Sequence, residues 1–256
     1  MTNEMIPGFY DALADRYHLL FDNWERAIER QGGILGPLLA SHSSPLPLKI
    51  LDCACGIGTQ SIGFAAMGHQ VVGSDLSQAA VERARREARS RSLDISYYIS
   101  DMTSLREIPQ TGFDVAVALD NALPHLSEAQ LAQAATTIAA KLKPGGLFMA
   151  SIRDYDQLIL EKPPMQPPAF YGARGSRRIV HQVWDWSDNT RYTLHLYITT
   201  ESSSGWEAHH FVSAYRCLLR EDLSDVLKNS GFSDIQWLMP HESGYYQPLV
   251  LARRPG

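Results

Sequence analysis

The chain has 256 residues and a formal net charge of -5, and 45% of its residues are hydrophobic while 20% are charged. This composition is that of a globular domain, and the length allows one α/β domain with a sizeable core or two small domains. No apolar run approaches the length of a membrane span, and the acidic balance disfavours nucleic acid as a partner.

The start of the chain and its cysteines indicate the cellular compartment. The first residues lack the basic segment and apolar core of a secretory signal. The three cysteines do not suggest a disulfide framework, because Cys53 and Cys55 are too close for an easy bridge. We therefore expect a reducing, cytoplasmic setting.

The first segment has helical periodicity. From Tyr10 to Ile28, large apolar residues recur at three- and four-residue steps, which predicts an amphipathic helix in one or two pieces. The stretch "SHSSPLPL" that follows is typical of a linker. Residues 1–48 are thus expected to form a helical cap.

Strands and helices alternate from residue 49 to residue 156. The predicted strands are "KILDCAC", "HQVVGSD", "ISYYISD", "FDVAVALD" and "LFMASIRD", and helices lie between most of them. This alternation predicts a doubly wound, mostly parallel sheet with helices on both faces. Residues 49–156 are expected to form a cofactor-binding core.

The pattern changes after this core. A proline-rich connection, "KPPMQPP", precedes three runs with β character, "RRIVHQVWDW", "RYTLHLYITTES" and "WEAHHFVSAYRCL", which predict an antiparallel meander. We expect residues 157–215 to be an insertion that covers the carboxyl ends of the parallel strands as a lid. A helix and a strand in 216–256 would complete a seven-stranded sheet, so that 1–256 is one domain.

The segment "LDCACGIGTQ" joins the first strand to the first helix of the core. Ala54, Gly56 and Gly58 are small enough to let a ligand approach the backbone. Asp75 ends the second strand about twenty residues later, a spacing that suits a carboxylate binding both ribose hydroxyls of a nucleotide. The glycine turn alone would also suit a tight loop with no ligand.

Two residues bear on the identity of the nucleotide. Ser61 stands where a dinucleotide-binding turn has its third glycine, and Asp52 lies beside the turn, where it would repel a pyrophosphate. A carboxylate at this place suits a ligand with a positive charge, such as an amino group or a sulfonium. The sequence therefore favours S-adenosylmethionine over NAD.

Five segments in order resemble the motifs of class I S-adenosylmethionine-dependent methyltransferases: "LDCACGIGTQS", "VVGSDLS", "SDMTSL", "FDVAVALDNALPHL" and "LKPGGLFMASIRDYD". Within that superfamily they are most similar to the glycine and sarcosine N-methyltransferase group, on the Asn-x-x-x-His after the fourth strand and the Arg-x-Tyr-Asp after the fifth. The resemblance implies that Gly56 and Gly58 border the methionine part of the cofactor and that Asp75 holds the ribose.

The resemblance also implies an adenine site. Leu76 would lie against the adenine, Asp101 would bind its amino group, and the backbone of Met102 would lie beside the ring. Asp101 ends the third strand at the same sheet edge as Asp75, which agrees with this placement. A helix cap before "MTSLREI" is the alternative role for Asp101.

The segments "LDNALPHL" and "SIRDYD" follow the fourth and fifth strands, so Asn121 and Arg153 are expected to face the transferable methyl group. In the glycine-type enzymes the matching residues hold the substrate carboxylate, which an arginine fork binds bidentately. The alternatives are a salt bridge from Arg153 to Asp154 or Asp156, and a turn-forming role for Asn121.

Two residues near Asn121 each have two possible roles. His125 is the nearest candidate base for an oxygen nucleophile, or a structural histidine after the turn. Asp120 departs from the family pattern, which has a small residue before the asparagine. It could hold an ammonium group on a different substrate, or it could cap the turn.

Aromatic residues could cover the site, because their faces attract a sulfonium or methylammonium ion. Tyr17 and Trp24 are candidates beside the cofactor, and the family places a tyrosine near Tyr215 against the substrate. Core packing is the alternative role for each of them.

The expected function is methyl transfer to the nitrogen of a small amine or amino acid, without a metal. Alternatives are an O-methyltransferase acting on a small carboxylate or hydroxyl and a non-catalytic S-adenosylmethionine-binding protein. No Asn/Asp-Pro-Pro-Tyr motif or Pro-Cys pair follows the fourth strand, which disfavours a nucleic-acid methyltransferase. We expect neither a nucleic-acid nor a membrane partner, and a monomer or homodimer.

Overall fold

A computed structural model of the chain describes residues 5–43 and 45–256, without the side chains of residues 5 and 6. The helices are α1 (Met5–Leu13), α2 (Trp24–His42), α3 (Thr59–Ala66), α4 (Gln78–Ser90), α5 (Glu128–Lys141), α6 (Tyr155–Glu161), α7 (Arg220–Asn229) and α8 (Pro240–Ser243). The strands are β1 (Lys49–Asp52), β2 (Gln70–Asp75), β3 (Ile95–Ile99), β4 (Phe113–Ala118), β5 (Leu142–Ser151), β6 (Met165–Tyr171), β7 (Arg178–Trp186), β8 (Arg191–Ser202), β9 (Gly205–Arg216), β10 (Ser233–Leu238) and β11 (Leu249–Arg253).

The main sheet has seven strands in the order β3-β2-β1-β4-β5-β11-β10. The first five strands of this order run parallel to one another, and β11 runs antiparallel to both β5 and β10. This confirms the predicted doubly wound, mostly parallel sheet. The strand order reverses between β1 and β4, so a crevice opens there outside the carboxyl ends of the strands.

The predicted antiparallel meander is confirmed as a separate sheet with the order β6-β7-β8-β9. The prediction of a mere connection at "MQPP" was wrong, because this segment begins β6. Pro167 and Pro168 lie in a register irregularity between Gln166 and Ala169. An edge strand tolerates this irregularity, since proline has no N–H to donate to a sheet ladder.

Both faces of the main sheet are covered by apolar clusters. Ile50 and Leu51 are adjacent in β1 yet belong to different clusters, as expected for side chains that alternate across a strand. The first cluster extends through Phe148 to the inner face of the second sheet, and the second contains Leu35 and Leu39 of α2. The antiparallel sheet and α2 are therefore fixed on opposite sides of the crevice.

The N-terminal segment is bonded to α4 and to the second sheet. Asp11 of α1 accepts hydrogen bonds from Ser77 Oγ (2.6 Å) and Ala79 N (3.0 Å) at the start of α4. Arg178 of β7 donates to the backbone carbonyls of Leu19 and Asp22. A short 3₁₀ helix, Tyr17–Leu20, is thereby held over the crevice.

No helix within residues 5–43 and 45–256 has the length and apolarity needed to span a membrane.

The different burial of two leucines predicts different changes in stability when each is replaced by alanine. Leu39 is fully buried, whereas Leu160 in α6 is 82% exposed. We expect Leu39→Ala to lower the free energy of unfolding by about 2–5 kcal/mol and Leu160→Ala to change it by less than about 0.5 kcal/mol. Urea unfolding at equilibrium measures both, and equal values would contradict this packing.

Candidate active site at the carboxyl ends of the strands

Two adjoining cavities occupy the crevice. The inner cavity is lined by residues of the β1–α3 turn, the ends of β2 and β3, and the segment after β4. The outer cavity, of about 1060 Å³, lies between α2, α6, the second sheet and residues 240–248. Tyr10, Tyr17 and Asp120 line both cavities, so they mark the junction between them.

The glycine turn and Asp75 form one hydrogen-bonded unit beside the inner cavity. Gly56 and Gly58 have left-handed backbones with φ of 51° and 95°, and a Cβ on Gly58 would lie 2.8 Å from the hydroxyl of Tyr97. Asp75 accepts hydrogen bonds from the backbone N–H of Gly56 and of Ser77, both at 2.9 Å. Burial raises the pKa of this carboxyl, while the backbone donors act in the opposite direction.

Asp52 lies behind the same turn and is only 1% exposed. Ser61 Oγ donates to it at 2.6 Å, and the N–H of Ala54 does so at 3.4 Å. Burial raises the pKa of Asp52 to about 7 despite these donors. Ser61, which stands where a dinucleotide-binding turn has its third glycine, therefore binds a buried acidic side chain behind the turn.

The residues expected around an adenine also line the inner cavity. Leu76, Asp101 and Met102 stand there together with Ala54 and Asp75. Asp101 also accepts a hydrogen bond from the N–H of Thr103 at 2.8 Å. Turns and not a helix follow Asp101, so the alternative role of a helix cap was wrong.

The turn after β4 has an unusual backbone. Asp120 and Asn121 have φ of 56° and 67°, a left-handed region in which asparagine and aspartate are among the few tolerated residues. The Asn121 amide accepts from the N–H of Arg153 (3.0 Å) and donates to the hydroxyl of Tyr155 (2.9 Å). Asn121 therefore connects the ends of β4 and β5 while it lines the outer cavity.

Arg153 lines the outer cavity without a carboxylate partner. Its guanidinium donates to the hydroxyl of Tyr192 (2.5 Å) and to Gln182 Oε1 (3.2 Å), and it lies over the rings of Trp184 and Tyr215. It forms no ion pair within the described part of the chain. This cation is oriented by neutral groups.

The acidic neighbours of Arg153 have another partner. Asp154 and Asp156 lie 2.6 and 3.5 Å from the guanidinium of Arg220, at the start of α7. They are therefore not the counter-ions of Arg153, which were the alternative expected from sequence.

His125 lies at the inner cavity between two tyrosines. Its Nε2 is 2.9 Å from the hydroxyl of Tyr10, and its ring centroid is 4.2 Å from that of Tyr215. Burial, reinforced by the charge of Arg153, lowers the pKa of His125 to about 3. The imidazole is therefore neutral at pH 7 and has a low proton affinity.

Two aromatic candidates occupy different surroundings. Tyr17 lies at the junction of the cavities, and burial raises its pKa, so it is a neutral phenol at pH 7. Trp24 packs between helices instead: its indole N–H donates to Thr59 Oγ1 at 2.9 Å, and Arg83 and Arg91 lie over its ring.

Sequence reasoning missed the partners of the strand-end residues. Gln60 and Tyr245 bind Asp120, while Gln182 and Tyr192 bind Arg153. The one available indication was a polar Gln60 within the apolar helix "TQSIGFAAMG". No group of three His, Cys, Asp or Glu side chains suited to a metal ion exists in residues 5–43 and 45–256.

The raised pKa of Asp52 predicts a pH dependence of stability. Between pH 3.8 and about 7 the folded protein keeps a proton on Asp52 that the unfolded chain releases, so the free energy of unfolding falls as pH rises. From pH 5 to pH 8 we expect wild-type protein to lose about 2 kcal/mol more than Asp52→Asn. Urea unfolding at both pH values tests this, with the exposed Asp94→Asn as the control that should follow wild type. Parallel losses in all three proteins would contradict the assignment.

The chain is similar to known methyltransferases. Residues 50–146 match the family model described as a methyltransferase domain. A glycine/sarcosine N-methyltransferase of Parasynechococcus marenigrum (strain WH8102) is 30% identical over 159 residues, which are 62% of this chain and 55% of that protein. A ubiquinone biosynthesis O-methyltransferase of Brucella ovis is 35% identical over 114 residues, which are 43% of this chain and 44% of that protein. The chain thus spans about half the length of the curated relatives it matches.

Among solved structures, an S-adenosylmethionine-dependent methyltransferase from Clostridium acetobutylicum ATCC 824 has a TM-score of 0.76 at 17% identity, over 94% of this chain and 99% of that chain. This likeness establishes that the two proteins share a fold. The matched segment, the sequence relatives and the shared fold together support a class I S-adenosylmethionine-dependent methyltransferase.

Proposed function

We propose that the protein transfers a methyl group from S-adenosylmethionine to the nitrogen of a small amine that also bears a carboxylate, as glycine and sarcosine do. The observation that carries this proposal is the unpaired guanidinium of Arg153 on the wall of the outer cavity. A cation that the protein orients but leaves without a counter-ion is suited to a carboxylate of the ligand. The glycine/sarcosine N-methyltransferase relative supports the same class of acceptor.

The residues that line the inner cavity suit the chemistry of the proposed cofactor. Asp75 offers a carboxylate to the ribose hydroxyls, Leu76 and Asp101 would hold the adenine, and the Ala54–Gly56 turn would border the methionine part. Asp52 lies buried behind the turn, where a carboxyl group disfavours a pyrophosphate. When bound, S-adenosylmethionine supplies a sulfonium methyl group for in-line displacement, and S-adenosylhomocysteine remains.

The chain's own contribution to this reaction is positioning. The cavity walls bring the acceptor to the junction at Tyr10, Tyr17 and Asp120, where the two cavities meet. Holding two reactants in an aligned geometry supplies several kcal/mol, up to roughly 10 kcal/mol, of rate acceleration. An amine that has lost its proton to solvent needs no further protein base.

Transfer to oxygen is a second candidate, because one relative is a ubiquinone biosynthesis O-methyltransferase. A hydroxyl acceptor requires a group that removes its proton in the transition state. His125 is the nearest base, but burial and Arg153 lower its pKa to about 3. An imidazole of such low proton affinity is a poor general base at pH 7, which favours nitrogen as the acceptor atom.

The role proposed for Asp75 is testable by ligand binding. Asp75→Asn removes the charge and one of the two acceptor oxygens while it preserves the side-chain shape. Hydrogen bonds to a charged group are worth about 1.5–3 kcal/mol, so the affinity for S-adenosylhomocysteine should fall about 10- to 100-fold. Isothermal titration calorimetry measures this, with Asp94→Asn as the matched control. Equal affinity in all three proteins would remove Asp75 from the nucleotide site.

The carboxylate role of Arg153 predicts a selective loss. Arg153→Lys keeps the charge but lacks the fork, so KM for glycine or sarcosine should rise about 10-fold or more while S-adenosylhomocysteine affinity stays unchanged. Methylamine, which has no carboxylate, should be affected far less. The exposed Arg174→Lys serves as control.

The readout is release of S-adenosylhomocysteine from S-adenosylmethionine and each acceptor. Equal losses for sarcosine and methylamine would show that Arg153 supports the fold of the cavity rather than a carboxylate. Turnover of hydroxy acids alone would replace the nitrogen acceptor by an oxygen acceptor.

A further inference from the structure

We propose that Asp120 binds the protonated nitrogen of the methyl acceptor, so that the acceptor is a zwitterion held between Asp120 and Arg153. This inference rests on the proposed N-methyl transfer and names the residue that selects an amine over a hydroxyl compound. It concerns the acceptor while the amine is still protonated; one proton is lost to solvent before the nitrogen attacks the methyl group.

The position of Asp120 is the first argument. It follows β4 directly and is the one acidic residue that lines both cavities within the described parts of the chain. Tyr10 and Tyr17 line the same junction. A group transferred from the inner to the outer cavity must pass this place, so the reacting nitrogen has to approach it.

The partners of Asp120 are the second argument. Its Oδ2 accepts a hydrogen bond from Gln60 Nε2 at 2.8 Å, and its Oδ1 accepts from the hydroxyls of Tyr245 and Tyr246. Gln60 is itself fixed by Gln31 Oε1 at 2.6 Å. All these donors are neutral, and no ion pair to Asp120 is formed in residues 5–43 and 45–256. The carboxylate is oriented, but its charge is left without a counter-ion.

These contacts also argue against a capping role. Both carboxylate oxygens bind side chains from α3 and from the segment after α8, far from the turn in sequence. The turn itself is held by other bonds: Asp120 N–H donates to Ser151 Oγ at 2.8 Å, and Ser151 Oγ donates to Gln247 Oε1 at 2.8 Å. An uncharged residue would serve the turn equally well.

The surroundings suit an ammonium ion. The Tyr17 ring and the Tyr245–Tyr246 pair, whose ring centroids are 4.8 Å apart, add aromatic groups beside the carboxylate. Aromatic faces and a carboxylate are both attractive to a cation. On the same outer cavity Arg153 presents the opposite charge, with no counter-ion in residues 5–43 and 45–256. Two unpaired charges of opposite sign match a ligand that carries both.

The outer cavity is larger than glycine requires. Its volume of about 1060 Å³ reaches the upper end of the range in which pockets bind drug-sized ligands, about 300–1,000 Å³. Arg153 and Asp120 are held by different walls, the former by β7 and β8 and the latter by α3 and residues 245–246. The test therefore includes amino acids in which the two charges are further apart.

A second role for Asp120 has to be separated from this one. The sulfonium of S-adenosylmethionine is also a cation, and the junction is close to the inner cavity. If Asp120 acted on the sulfonium, its removal would weaken S-adenosylmethionine but not the neutral S-adenosylhomocysteine. If it acts on the acceptor, the ratio of the two affinities stays the same.

The experiment uses Asp120→Asn, since asparagine tolerates the left-handed backbone and keeps the shape of the side chain. Glu161→Gln, an exposed carboxylate of the same cavity, is the matched control. Calorimetry with S-adenosylhomocysteine present measures binding of glycine, sarcosine, β-alanine and 4-aminobutanoate, and of the hydroxy acid that corresponds to each. Thermal unfolding shows that both variants fold.

We expect wild type and Glu161→Gln to prefer at least one amine over its hydroxy counterpart, and Asp120→Asn to lose that preference by tenfold or more. KM for the same amine should rise in proportion, and the affinity ratio of S-adenosylmethionine to S-adenosylhomocysteine should not change. A changed ratio with an intact amine preference would overturn the proposal and place Asp120 on the sulfonium.

The remaining outcomes are also decisive. Unchanged amine preference and unchanged ratio would reduce Asp120 to a structural role. Absence of amine binding to wild type across the panel would overturn the zwitterion. Binding and methylation of hydroxy acids alone would overturn the proposed N-methyl transfer itself. The other two outcomes in this paragraph would overturn only the role of Asp120 or the zwitterion.

Discussion

The side-chain amide of Asn121 joins the ends of β4 and β5 at the outer cavity. It binds the N–H of Arg153 on one side and the hydroxyl of Tyr155 on the other, and it is 3% exposed. A buried amide with both ends bonded has one orientation, since an unpaired polar group would cost about 1–3 kcal/mol. This bond fixes where the chain leaves β5, and so where the guanidinium of Arg153 begins. The left-handed turn that positions Asn121 also aims Asp120 at the cavity junction.

Most of the fold could be predicted from the sequence because its helices and strands have strong local patterns of apolar residues. β4, "FDVAVA", is apolar along nearly its whole length since both of its faces are buried, and such a run is typical of a central parallel strand. Two strands that were not predicted from the sequence, β6 and β10, lie at sheet edges. β6 contains two prolines, and β10, "SDIQWL", is largely exposed, so neither has the pattern of a buried strand. Each is defined by its backbone pairing with the next strand along the chain, β7 or β11, and a pattern of apolar residues does not record that pairing.

Part of the candidate site could likewise be predicted from the sequence, and part could not. Asp75, Asp101, Asn121 and Arg153 could be named from sequence because each follows a predicted parallel strand, and parallel strands end at one sheet edge. Their partners could not be named. The ion pair of Asp154 with Arg220 spans 66 positions, and the bond between Gln60 and Asp120 spans 60. Whether Arg153 was satisfied by its acidic neighbours therefore depended on where α7 packs, which no strand pattern reveals.

The acidic side chains around the crevice affect the charge of the ligand that binds there. Burial raises the pKa of Asp52, and the nearby carboxylates of Asp75 and Asp120 raise it further. Because burial raises the pKa of both Asp52 and Asp75, a positive charge nearby would favour the ionised form of each. Binding of a cationic ligand is thus linked to folding, since a ligand that binds only the folded state raises its stability. Release of the methyl group turns the cationic sulfonium into a neutral thioether, which removes that stabilisation. Under the proposed function, the carboxylates of Asp52 and Asp75 would therefore hold the product less tightly than the cofactor, whereas Asp120 acts on the acceptor.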